Sequence, residues 1–128
     1  MANKMRAMGT QHESAIVNWF RDHGWLWAKR KPLAGGADEG DIWLSERIPF
    51  LIEAKTARKT TDRVTIGGFL RELDIEIANA EAESGAVILK QRGTTDVGKY
   101  VVLMRVEHLQ VLLRRAYQEP VSRRRRTR

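Results

Sequence analysis

The sequence predicts an α/β fold, a single domain whose mixed central sheet is flanked by helices in the order αβββαββα. Three observations lead there. Two stretches have helical apolar spacing and end near glycine, around positions 11–23 and 67–83. Short apolar strands bounded by turn residues lie between and after them. The chain has 128 residues, 42% of them hydrophobic and 30% charged, which suits one soluble core and leaves little for a second domain.

Each element has its own signature. Thr10 followed by Glu13 has capping-box spacing, so a first helix is expected over Gln11–His23, with Ile16, Val17 and Phe20 on one stripe and Gly24 as its stop. Trp25–Ala28 reads as a strand ending in the basic triplet Lys29-Arg30-Lys31, and Pro32–Gly40 as a glycine-rich loop. Asp41–Leu44 and Phe50–Lys55 read as two strands joined by the turn Ser45–Pro49. Thr56–Thr65 is polar and basic, hence a loop. In the second helix Phe69, Leu70, Leu73, Ile77 and Ala80 form the apolar stripe, with Gly85 ending the segment. Strands at Ala86–Leu89 and Tyr100–Met104 and a helix over Val106–Tyr117 complete a body spanning 1–119. Pro120 is expected to separate it from a flexible tail, 120–128.

Composition narrows the function. No cysteine is present, which excludes disulfides, thiolate catalysis and cysteine-based zinc sites. His12, His23 and His108 form no metal-binding spacing. No apolar run approaches membrane-span length, and Met1–Gly9 has no hydrophobic block that would mark a secretory signal, so a reducing cytoplasm is expected. Net charge is +7, of which the arginines between 123 and 128 supply five, leaving +2 for the body. A near-neutral body with local basic patches suits a polyanion gripped at chosen places.

The anomaly lies at the end of Phe50–Lys55. Its first half is apolar, as in a central strand, yet Glu53 and Lys55 follow on one face. A five-residue turn at Ser45–Pro49 pairs Leu44 with Phe50 and lands Asp41 opposite Glu53; an even-length turn would separate the two carboxylates. Two close carboxylates repel unless a cation intervenes, and Mg²⁺, with Mn²⁺ able to substitute, is the hard ion for such oxygens. It would acidify a water and stabilise charge at phosphorus, while Lys55 orients that water or holds a non-bridging oxygen. The competing reading is a solvated strand end with a surface ion pair, in which Asp41 merely caps a loop.

Asp41, eleven intervening residues and then Glu53-Ala54-Lys55 resemble the PD-(D/E)XK nuclease superfamily, and within it the archaeal-type Holliday junction resolvases. A helix glutamate precedes the motif at Glu13, and a strand, basic residues and a glycine-containing loop follow, covering about Thr10 to Ala86. The motif's proline is replaced by Gly40. The resemblance implies a restriction-endonuclease-like core and metal ligation by Asp41, Glu53 and the carbonyl of Ala54, with Glu13 assisting. It also implies a Mg²⁺-dependent endodeoxyribonuclease that acts as a homodimer on branched DNA, leaving a 5′-phosphate, with no further small-molecule cofactor and no membrane. Glu13 equally fits a helix cap. Lys29, Arg30, Lys31, Arg58, Lys59 and Arg63 flank the motif and are the candidate phosphate contacts. A flap, fork or nick nuclease, a binding protein with an idle site, and a basic ribosomal or assembly protein are the competing functions.

Overall fold

Strand Phe50–Lys55 is the axis of the molecule, because apolar side chains on both of its faces need cover. In the computed structural model the chain is described over residues 2–31, 41–56 and 63–126, with backbone alone for 2–8, 31, 41, 63–64 and 118–126. The expected loop at Pro32–Gly40, together with Arg58 and Lys59, lies outside the described residues. The elements are α1 (Ala2–Asp22), β1 (Lys29–Lys31), β2 (Asp41–Trp43), β3 (Phe50–Lys55), α2 (Arg63–Asn79), β4 (Ser84–Leu89), β5 (Val101–Leu103) and α3 (Val106–Arg126). A single 3₁₀ turn, Val97–Lys99, precedes β5. The chain is thus a small α/β domain with a mixed five-stranded sheet, ordered β1-β2-β3-β4-β5, and three helices. Among the described residues only β3 and β4 pair in parallel, with α2 between them in sequence. Among the described residues no helix is long and apolar enough to cross a membrane.

The sheet separates two apolar layers. On one side Ile16 and Val17 of α1 pack on Ile42, Ile52 and Ile88, with Leu112 of α3 alongside. On the other, Leu73 and Ile77 of α2 cover Leu51, Val87 and Leu89, with Phe69, Leu70 and Ala80 at the margin. The stripe expected on the second helix is therefore its packing face. Ile42 pairs with Ile52 and Trp43 with Leu51, the register expected for the five-residue turn.

Several boundaries differ from expectation, each for a local reason. α1 begins at Ala2, since the strong helix formers ahead of Gly9 let the helix propagate through Thr10, which is then no cap. Trp25–Ala28 forms turns after Gly24, whose φ of +99° redirects the chain, and the basic triplet itself is the strand. Pairing decides this: Lys29 faces Trp43, Arg30 faces Ile42 and Lys31 faces Asp41. The positive charge suits an edge strand. α2 starts at Arg63, inside the expected loop, and ends at Asn79. There Glu81 takes a left-handed φ of 54°, with Ala82 N–H bonded to the Ile77 carbonyl and Glu81 N–H to that of Ala78. α3 continues through Pro120 to Arg126, in place of the expected break.

Gly85 is a residue of β4, not a helix stop. A Cβ there would stand 2.6 Å from the Leu51 carbonyl oxygen and 3.1 Å from Ile77 Cδ1. Backbone oxygen cannot retreat without disturbing the β3–β4 ladder. Gly85→Ala is therefore expected to lower stability by about 1–3 kcal/mol, read from urea unfolding midpoints. An unchanged midpoint would mean that the two strands can separate freely at this point.

Candidate active site

The burial of β3 changes halfway along the strand. Phe50, Leu51 and Ile52 are buried, whereas Glu53, Ala54 and Lys55 are half-buried as the strand leaves the core. Charge at this end is thus tolerated without full desolvation. Alternation along the strand sends Ile52 and Ala54 toward the α1 layer and Leu51 toward the α2 layer. Lys55 meets α2: its Nζ donates to Glu72 Oε2 at 2.5 Å and lies 5.5 Å from the centre of the Phe69 ring. Glu53 Oε1 is 3.9 Å from the same ammonium. One lysine is therefore held between two carboxylates.

The β2–β3 register, extended one residue beyond Ile42↔Ile52, brings Asp41 directly across from Glu53. Asp41 is described as backbone, the first residue of β2, paired on its other side with Lys31. Two carboxylate-bearing positions and the lysine thus meet where β2 begins and β3 ends.

Glu13 sits within α1, buried, rather than at a helix start, so its capping-box reading falls. Its Oε2 is 3.7 Å from Arg30 Nε, an ion pair that ties α1 to β1. It approaches the strands from the α1 layer, whereas Lys55 is engaged from the α2 layer. Beside it His12 is buried, its Nε2 3.3 Å from the Ile88 carbonyl oxygen, and burial pushes its pKa below the ordinary imidazole value. A neutral ring here serves packing at the end of β4.

The basic candidates divide. Lys29 lies over the Trp27 ring, its Nζ 4.4 Å from the centroid, and is exposed. Arg30 is partly engaged by Glu13. Lys31 and Arg63 are placed by backbone only, at the end of β1 and the start of α2.

Two features were missed by sequence reasoning. Glu72 is one; it lies beside the apolar stripe of α2, and only the β3–α2–β4 connection carries it over the end of β3. The other is a polar hollow of about 240 Å³ between α1 and β1, lined by Ser14, Val17, Asn18, Arg21 and Arg30. Arg21 is steered there by its Nε, which donates to the Ala28 carbonyl at 2.7 Å. The spacing Ser14, Asn18, Arg21 at helical intervals was the available signal.

The donor chemistry fits a hard divalent ion: carboxylate oxygens at positions 41 and 53 and the backbone carbonyl of Ala54 are oxygen ligands of the type Mg²⁺ takes, without soft donors nearby. Among the described residues no group of three or more His, Cys, Asp or Glu side chains converges, so the ligand set depends on Asp41 joining Glu53. Comparisons with protein-family models, with curated proteins and with solved structures each found no match, so the functional assignment rests on this geometry.

Proposed function

We propose that this chain is a Mg²⁺-dependent endodeoxyribonuclease of the PD-(D/E)XK type, with a restriction-endonuclease-like core, that cuts branched DNA, Holliday junctions foremost. The observation that supports the reading is the β2–β3 register, Ile42 with Ile52 and Trp43 with Leu51, which extended by one residue sets position 41 across from Glu53, beside the Lys55 that Glu53 and Glu72 engage. A surface ion pair of no consequence would not need a register that juxtaposes two acidic positions beside an anchored lysine.

In this reading Asp41, Glu53 and the Ala54 carbonyl hold the ion, while Glu13, across the sheet in the α1 layer and paired with Arg30, stands outside this ligand set. Bound Mg²⁺ would lower the pKa of a water and offset charge developing on phosphorus. Glu53 and Glu72 hold Lys55 with its ammonium at the mouth of the site, poised to orient the attacking water or bind a non-bridging oxygen. In-line attack breaks the P–O3′ bond and leaves a 5′-phosphate and a 3′-hydroxyl. Lys29 and the Arg21–Arg30 hollow would grip backbone phosphates without reading bases, which suits recognition of DNA shape. Paired cuts in opposite strands would come from two copies acting together.

The test is cleavage of a labelled four-way junction and a matched linear duplex, with Mg²⁺, Mn²⁺ or EDTA. Metal-dependent symmetric cuts confined to the junction are expected; binding without cutting under every metal would sink the enzyme assignment. Glu72→Gln should leave folding intact and lower the single-turnover rate by no more than about tenfold, because Glu53 still holds the lysine. A loss as deep as that of Lys55→Ala would make Glu72 a participant in its own right.

A further inference from the structure

The connection between α1 and β1 is a built turn with an apolar tip. Gly24, at a φ of +99°, turns the chain back so that Trp25 N–H donates to the Phe20 carbonyl at 2.9 Å. Ala28 N–H then donates to the Trp25 carbonyl at 3.0 Å, which makes Leu26 and Trp27 the central residues of a tight turn. These two differ in their surroundings. Trp27 is half-buried, with the Lys29 ammonium 4.4 Å from its ring centre. Leu26 is 81% exposed. A lone surface leucine needs no explanation, but this one is held on a fixed tip beside a basic recess. Arg21 makes the link: its Nε donates to the Ala28 carbonyl at 2.7 Å, clamping the end of the turn to α1, and the same side chain lines the hollow of about 240 Å³ with Ser14, Asn18 and Arg30.

We propose that this turn is an unstacking wedge: Leu26 enters a base step at the branch point of DNA while the hollow beside it seats the adjoining phosphate. Charge complementarity selects that occupant. The bond Arg21 makes is to a neutral carbonyl and leaves its charge uncancelled, and Arg30 is offset only in part by Glu13 at 3.7 Å. Two guanidinium groups, a hydroxyl and an amide are donors of the kind that hold phosphate oxygens. Two residues of chain separate Leu26 from the clamped Ala28, a span of at most about 7 Å, so one nucleotide can set its phosphate in the hollow and its base against the leucine. A single apolar side chain is enough to open a base step, and opening costs least where stacking is already interrupted, as at a branch. A lipid surface is the poorer fit, because one leucine inserts little apolar area and a shaped recess adds nothing there. The inference rests on branched DNA as the substrate, and not on the metal chemistry.

The test binds the full chain, in EDTA so that cutting plays no part, to four-way junctions carrying a fluorescent adenine analogue that is quenched when stacked. The analogue is placed either at the branch point or within an arm. A severalfold rise in emission is expected at the branch point and none in the arm. Leu26→Ser should abolish the rise, with melting unchanged and binding within about tenfold of the parent's. Asn18→Glu puts an anion into the hollow from an exposed position, and should weaken binding about tenfold and flatten its log–log salt dependence by about one unit. Parental affinity and slope in Asn18→Glu would overturn the phosphate seat. A rise that survives Leu26→Ser, or one equal in the arm, overturns the wedge, as does Leu26-dependent binding to anionic lipid vesicles without any rise on DNA. A junction that is cut with Mg²⁺ but never brightens overturns the wedge alone. Brightening without cutting under any metal sinks the nuclease reading and leaves the wedge standing, and failure to bind the junction overturns both.

Discussion

Asp41→Asn and Lys55→Ala are each expected to slow Mg²⁺-dependent junction cleavage by about 10²- to 10³-fold, with junction binding and melting close to the parent's. The two act on different parts of the same site. Asparagine keeps the shape of Asp41 but removes the charge that a hard cation needs, so the loss should deepen at low Mg²⁺. Removing the Lys55 ammonium leaves Glu53 and Glu72 without their shared partner and the phosphate without a fixed positive charge. Lys55→Arg should restore little, because a planar fork replaces a compact point charge between two carboxylates already placed for it. Single-turnover rates on a preformed junction, over a Mg²⁺ series, check this. Full activity in Asp41→Asn would remove the metal-binding role and with it the proposed chemistry.

Leu51→Ala should cost about 2–5 kcal/mol, a large share of the roughly 5–15 kcal/mol that holds a domain of this kind together. Leu51, the second residue of β3, is fully buried against Leu73 and Ile77 of α2 and beside Val87 and Leu89 of β4. Neighbours anchored in a central sheet cannot collapse into the space it leaves. Ile75, on the exposed side of the same α2, provides the contrast: Ile75→Ala should stay within about 0.5 kcal/mol. Urea unfolding by circular dichroism separates the two. Equal effects would mean that α2 does not pack as described.

The legible parts of the site were those governed by parity. Phe50–Lys55 is a strand with the bounds its residues suggested, and the β2–β3 register, Ile42 with Ile52 and Trp43 with Leu51, is the one expected from the odd-length turn before it. The α2 stripe was equally clear, because a helix that covers a sheet must repeat its apolar residues at helical spacing. Glu72 was not legible, since its bond to Lys55 joins residues 17 apart through a connection whose path no local pattern encodes. Glu13 stood out in the sequence both as a capping-box residue and as the helix glutamate of the resemblance; the structure removes the cap, because Thr10 lies inside α1, and pairs the buried glutamate with Arg30.

Local chemistry by itself determined the class of fold, the order of its elements, the central strand and the acidic and basic residues gathered at its end. These follow from periodicity and turn parity, which each short segment carries within itself. The tertiary structure alone decided where β1 lies, how far α1 and α3 extend, why Gly85 must be glycine, and which apolar surface stays open. Each of those depends on a partner distant in sequence: β2 makes a strand of Lys29–Lys31, and the Leu51 carbonyl excludes a side chain at 85. The exposed stripe of α3 shows the same limit, because its apolar spacing looks alike whether a face packs on the body or stays exposed.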